Sequence, residues 1–197
     1  MQEKRLRRTN LERSEATRAQ LLAAARGLFI EKGYADTGTP DIVQAAGVTR
    51  GALYHHFEDK KALFRAVCEA EAQAVAEQIE AGSPEYSNPQ EALVKGGEAF
   101  IAAMRQPGRT RLLLLDGPAV LGRHEMDQID GRHSAASLRT GIVLAIRQGA
   151  LRRDLPIDAT TSLLSAAFDR AALAIDAGTD AEGYRKALAT LINGLFV

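Results

Sequence analysis

Cys68 is the single cysteine in a chain of 197 residues, so neither an intramolecular disulfide framework nor a cysteine-based zinc site can be built. No stretch approaches the ~20 apolar residues that a membrane span needs, and no apolar run follows the charged N-terminus as a secretion signal would. A reducing, cytoplasmic setting without a membrane partner is the expectation. Net charge is also missing. The 25 Lys and Arg balance 25 Asp and Glu, and the whole-chain balance therefore names no partner. The alternating pattern of half-buried strands is absent, as are internal repeats. No P-loop, GxGxxG or nucleophile elbow occurs, and Ser134 and Ser165 have no recognisable base partner. An enzyme is not expected.

What the chain does have is helical periodicity and a 46% hydrophobic content, enough to bury a core in one or two domains. A first helix follows the cap candidate Ser14, with Leu21, Leu22, Ala25, Leu28 and Phe29 on one face and Gly33 as its stop. A short second helix begins at the cap Thr39 followed by Pro40, and ends at Gly47. Thr49 caps a third, and Asp59 a fourth that runs from Lys60 to about Ala81. Asn88-Pro89 opens the remainder. There "RLLLLDGPAVLG" reads as a short apolar helix stopped by Gly117-Pro118, followed by a long helix from about Glu125 to Gln148. Helices opened by Asp158 and Asp180 close the chain. The expected fold is all-α, divided into a flexible basic arm (1–14), an N-terminal helical domain (15–65) and a larger helical body (66–197).

Charge is distributed unevenly along this plan. Residues 1–65 hold 12 Lys and Arg against 8 Asp and Glu, leaving 13 against 17 for the rest. A mildly basic head on a mildly acidic body is the asymmetry of a polyanion binder. Its second and third helices, joined by "AGVT", have the helix-turn-helix arrangement, in which the second member enters a major groove. The third helix is unusually polar for its size. Thr49, Arg50 and Gly51 stand at its N-terminus, where free N–H groups favour phosphate. Arg50 can fork onto a guanine edge. Tyr54 and His55 follow one turn later, Leu53 and Phe57 face the core, and Lys60 is placed for a backbone phosphate.

The run "TRAQLLAAARGLFIEKGYADTGTPDIVQAAGVTRGALYHHFEDKKALF", residues 17–64, resembles the DNA-binding domain of the TetR family of transcriptional regulators. The resemblance covers a third of the chain in order and without gaps. "TGTPDI" departs from the usual pattern before the second helix, and Val43 stands where Ala is commoner. The resemblance implies DNA contacts at Thr39, Thr49, Arg50, Gly51, Tyr54, His55 and Lys60. It also implies a homodimer joined through the last two helices.

The body suggests the rest. "TTSLLSAAFDRAALAIDAG" is apolar nearly all round, so it must be buried on more than one side. Leu163 and Phe168 are expected to face the body. Ala166 and Ala174, with Leu188, Leu191 and Leu195 of the last helix, are expected at the dimer interface. Gly96-Gly97 inside a helix is open to two readings, close helix packing or room for a ligand. The second reading assigns a mainly apolar effector to Gly97, Phe100, Met104, Leu114, Asp116 and Leu121, with Asp116 meeting a hydroxyl or cationic nitrogen. "GRHEMDQIDGRH" carries His124, Glu125, Asp127, Asp130 and His133, but Gln128 occupies the place of the second His in H-E-x-x-H. Neither metal nor cofactor is expected. The function expected is that of a repressor that binds a palindromic operator as a dimer and is released by a small molecule. The alternative is a DNA-binding regulator without an effector, acting through protein partners.

Overall fold

The structure, a computed structural model, describes residues 10–82 and 88–196. It is helical, with no strand among those residues and one isolated antiparallel bridge between Leu151 and Phe196. The chain divides into two compact units with the boundary after Val67. Among the described residues no helix is long and apolar enough to cross a membrane.

The N-terminal unit is built from α1 (Asn10–Lys32), α2 (Thr39–Ala46), α3 (Arg50–His56) and the first turns of α4 (Lys60–Ala81). Leu21, Ala25 and Phe29 form the buried face of α1, joined by Ile42, Leu53, Leu63 and Phe64. The rings of Phe29, Tyr34 and Phe64 meet edge to face or tilted at 5.0–5.8 Å, a geometry that adds specific stabilisation to area burial. Two expectations are corrected here. Ser14 is not a cap, because residues 10–14 lie inside α1; residues 1–9 of the expected arm lie outside those described. Nor does Thr39 cap α2. Gly38 takes that position with extended backbone, and Asp41 Oδ2 accepts its N–H at 3.3 Å. Thr39 is thereby left in the first turn with its hydroxyl uncommitted to capping.

The turn between α2 and α3 is close to expectation. Gly47 adopts φ +65°, a left-handed conformation that a Cβ makes costly, and Thr49 Oγ1 accepts the Ala52 N–H at 3.2 Å as the cap of α3. Val48 in that turn is half-buried. Asp59 Oδ1 accepts the Ala62 N–H at the start of α4.

The body adds α5 (Pro89–Met104), a π-helical turn (Arg111–Asp116), α6 (Gly117–Leu121), α7 (Arg123–Arg132), α8 (Ser134–Arg147), α9 (Ile157–Asp176) and α10 (Ala181–Asn193). Helix α5 packs on α8, α9 and α10. Its approach to α9 requires Gly97, where a Cβ would stand 2.6 Å from the Phe168 ring. Close packing is therefore one true reading of that glycine. Arg109 is buried, donating from Nε to Glu71 Oε2 at 2.9 Å and from a terminal nitrogen to the Ala103 carbonyl at 2.7 Å. Removing either partner of such a pair would leave an uncompensated charge in the interior.

Helix boundaries in the body differ from expectation twice. Gly117-Pro118 does not stop the apolar segment. Pro118 sits in the first turn of α6, where no intrahelical N–H is needed, and the stop is Gly122 at φ +95°. The preceding turn has the wider i→i+5 register, and Arg111 and Asp116, five apart, pair at 3.1 Å. The long helix expected over 125–148 is broken at His133, whose φ and ψ are −123° and −105°. Glu69 of α4 explains the break in part, because it pairs with both Arg132 and His133 at the junction. Asp130 completes it by accepting the Ala135 N–H at the start of α8.

Candidate nucleic-acid interface and body cavities

Helix α3 divides its residues cleanly. Leu53 and the adjoining Phe57 are buried, whereas Thr49, Arg50, Gly51, Tyr54 and His55 are exposed. The Arg50 guanidinium lies 5.5 Å from the centre of the Tyr54 ring. Hydrogen bonds from Thr39 and then Arg50 to the Tyr54 hydroxyl hold its pKa below the ordinary 10. Thr39, Arg50 and Tyr54 thus join the start of α2 to the outer face of α3 as one polar surface. His56, beside His55, has its pKa lowered by burial, then by His55 and Arg18. Gly51 is informative because nothing in the fold demands it. Its φ is not positive, and an added Cβ would meet only Thr49 Oγ1, at 3.9 Å.

Lys60 is engaged elsewhere. Its ammonium donates to the carbonyls of Tyr34 at 2.8 Å, Thr37 at 3.0 Å and Ala35 at 3.5 Å, and lies 4.2 Å from the Tyr34 ring centre. With three donors so used, it ties down the loop between α1 and α2 rather than presenting a free head for phosphate. Thr37, fully buried, completes that loop by donating to the Gly33 and Leu28 carbonyls.

Among the described residues the body has at least two cavities. One, of about 790 Å³, is bounded by Leu93, Gly96, Gly97, Phe100, Leu144 and Phe168 among others. The second, of about 810 Å³, has an apolar wall of Phe100, Met104, Leu113, Leu114, Met126 and Ile129. Of the residues expected around an effector, Gly97 borders the first, Met104 and Leu114 the second, and Phe100 both. Asp116 and Leu121 border neither. The Asp116 carboxylate is paired with Arg111, and Leu121 is buried in helix packing.

The polar lining of the second cavity includes Asp130, Ser165 and Asp169, none of them in the expected set. Ser165 Oγ donates to Asp130 Oδ2 at 2.8 Å, so this serine does have a carboxylate partner, although no imidazole completes a nucleophilic arrangement. Burial raises the pKa of Asp130. Burial, reinforced by Asp130, pushes Asp169 up to about 7. The signal for Asp169 is present in the sequence as the one carboxylate inside "SLLSAAFDRAALA". Among the described residues no group of three or more His, Cys, Asp and Glu side chains is gathered to hold a metal ion.

The last two helices require three corrections. Ala174 and Leu188, expected on a partner-facing surface, are only 4% and 6% exposed and belong to the core. Leu163, expected to face inward, is 73% exposed. Ala166 and Leu191 are exposed and Leu195 is half-buried.

A helix-turn-helix unit with its polar third helix outward, joined to a helical body, defines a class of DNA-binding transcriptional regulators. Residues 21–67 match the family model for bacterial regulatory proteins of the tetR family, and residues 90–196 match that for the tetracyclin repressor-like C-terminal domain. The chain belongs to the TetR family. It is 49% identical over 63 residues to the HTH-type transcriptional regulator CymR of Pseudomonas putida, a match covering 32% of this chain and 31% of that one. The matches to this and the next curated relatives span about a third of their length. A TetR-family transcriptional regulator from Pectobacterium atrosepticum is 36% identical, with a TM-score of 0.73 over 96% of this chain and 98% of that one. A TetR-family regulator structure from Syntrophomonas wolfei shares the fold alone, at 18% identity and a TM-score of 0.77, over 92% and 95% of the two chains.

Proposed function

We propose that this regulator is a repressor that occupies a pseudo-palindromic operator as a homodimer and leaves it when a small molecule enters the body. In this reading the unit ending near residue 65 reads DNA, and the remainder senses and dimerises. The observation that carries the DNA reading is the outer face of α3. Thr49, Arg50, Gly51, Tyr54 and His55 are exposed together, and the glycine leaves open space where a close backbone approach would need it. Thr39 lengthens that face. Lys60 supports it from behind, by fixing the loop that precedes α2.

Two observations support the remainder. The cavities are of the size that small ligands use, each with apolar side chains beside polar and charged ones. Leu163 and Leu191 are exposed on α9 and α10, with Ala166 on the same outer face of α9 as Leu163. Exposed apolar side chains on both of the last two helices suit a second copy of the chain. Release is then a matter of linkage. A ligand that prefers the conformation unable to match both half-sites shifts the population away from DNA.

Footprinting on the intergenic DNA beside the gene tests the DNA and dimer parts together. Two protected half-sites about 34–36 Å apart are expected, and protection of one asymmetric half-site by a monomer would refute the proposal. Arg50→Ala should cost about 1–3 kcal/mol of specific binding. Leu163→Glu should yield a folded monomer by light scattering that no longer binds the operator.

A further inference from the structure

The second cavity has an unequal distribution of charge. Its charged residues at the rim are exposed: Arg123 and Asp127 on α7, Arg139 on α8, Asp158 and Arg170 on α9. Arg139 and Asp158 neutralise one another at 2.9 Å. Among the described lining residues the half-buried ionisable ones are Asp130 and Asp169, and the exposed Arg123, which acts on Asp169, offsets only part of its burial. Asp130 is occupied, accepting from Ser165 Oγ and from the Ala135 N–H. Asp169 accepts no hydrogen bond and forms no ion pair among the described residues. The same cavity is lined by Phe100, Met104, Leu113, Leu114, Met126 and Ile129.

A carboxylate so enclosed, beside a second one, destabilises the folded protein unless something positive joins it. The burial that raises its proton affinity is the same feature that would strengthen an external ion pair, because neither solvent nor salt screens it well. A metal ion is a poor candidate, since the gathered donors are too few. An organic cation suits both kinds of lining.

We propose that this cavity takes a monocationic amine with an apolar body, its ammonium on the Asp169 carboxylate and its hydrocarbon against Phe100, Met104 and Leu113. The proposal rests on the reading that the body binds an effector, and it names that effector's chemical class.

The test compares 4-phenylbutylamine with its neutral and anionic counterparts, 4-phenylbutanol and 4-phenylbutyrate, by calorimetry on the full-length protein at pH 7.5. The amine should bind at least about tenfold more tightly than either counterpart, as an enclosed charge pair requires. Asp169→Asn should remove that preference while leaving phenylbutanol affinity within about twofold, and Asp169→Glu should restore part of it. Equal binding of alcohol or acid, unchanged amine affinity in Asp169→Asn, or no amine binding at millimolar concentration would each overturn the proposal. Operator binding is read separately with the same compounds. An amine that binds as expected yet leaves the operator complex intact confirms the ligand class and refutes the effector reading. Release by an unrelated compound, with no amine binding, does the reverse.

Discussion

Gly51 and Gly97 are the same residue put to opposite uses in the two units. At Gly51 the surroundings are empty, and a Cβ would meet only Thr49 Oγ1 at 3.9 Å. At Gly97 they are full, and a Cβ would press on the Phe168 ring at 2.6 Å. The contrast extends to polar groups. In the N-terminal unit Thr39, Arg50 and Tyr54 gather on an outer face, where water solvates them until a partner arrives. In the body Arg109, Glu71 and Asp169 are held inside. A surface that reads another molecule leaves room around its functional groups, whereas a body that encloses one lines its space with groups costly to bury.

Substitutions can break this contrast, starting with the largest effect. Gly97→Leu should destabilise the body by about 3 kcal/mol, because overpacking a filled contact forces neighbouring side chains off their rotamers. Thermal unfolding would show it, and an unchanged Tm would mean that Phe168 swings away at little cost. This glycine is therefore not a residue that can be enlarged without harm to the fold. Lys60→Ala should cost roughly 1.5–3 kcal/mol, the range for hydrogen bonds made by a charged group. The loss should appear in urea titrations without DNA, which separates the loop tie from any phosphate contact.

Asp169→Asn sharpens the comparison from inside. The folded-state carboxyl is pushed to about 7 from an ordinary 3.8, so between those values the folded chain holds a proton that the unfolded chain has released. The destabilisation is absent below about pH 4, grows as pH rises, and is complete above about pH 7. The Asn variant should therefore match wild type near pH 4 and exceed its Tm by roughly 2–8 °C at pH 8. A gain that is largest in acid would contradict the burial of this group. The smallest expected change in stability is that of Gly51→Ala. It should stabilise α3 by up to about 1 kcal/mol through helix propensity, yet weaken operator affinity. Unaltered DNA binding would show that nothing approaches that position.

Legibility in the sequence tracks the range of the interactions. The N-terminal elements are readable because local chemistry sets them: Gly47 turns the chain, Thr49 caps α3 and Asp59 caps α4. Where a side chain from a distant segment intervenes, sequence reasoning fails. Near residue 133 the sequence offers only Gly131 and Ser134 as weak signals of a break, and Glu69, far earlier in the chain, helps to hold it. Lys60 looks free in the sequence because its acceptors are carbonyls about 25 residues upstream. In α9, a helix apolar nearly all round gives little indication of which way each residue faces, so Leu163 and Ala174 exchange their expected sides. Asp116 suggests a ligand contact only for as long as its pairing with Arg111 is out of view.

That pairing belongs to a π-helical turn, and the turn carries a consequence for rotational phase. Its i→i+5 register holds one residue more per turn than the α-helix, so loss of one residue from Arg111–Asp116 would let the turn close as ordinary α-helix with the downstream helix still in phase. Leu115, 53% exposed, could be deleted with little loss of packing of its own. Gly117 would then keep its place against the Leu112 carbonyl and Met126, where a Cβ would come within 2.8–2.9 Å. Among relatives, then, a gap of one residue across this short stretch should be tolerated. A gap of two would turn α6 by about 100° and present a different face to its neighbours.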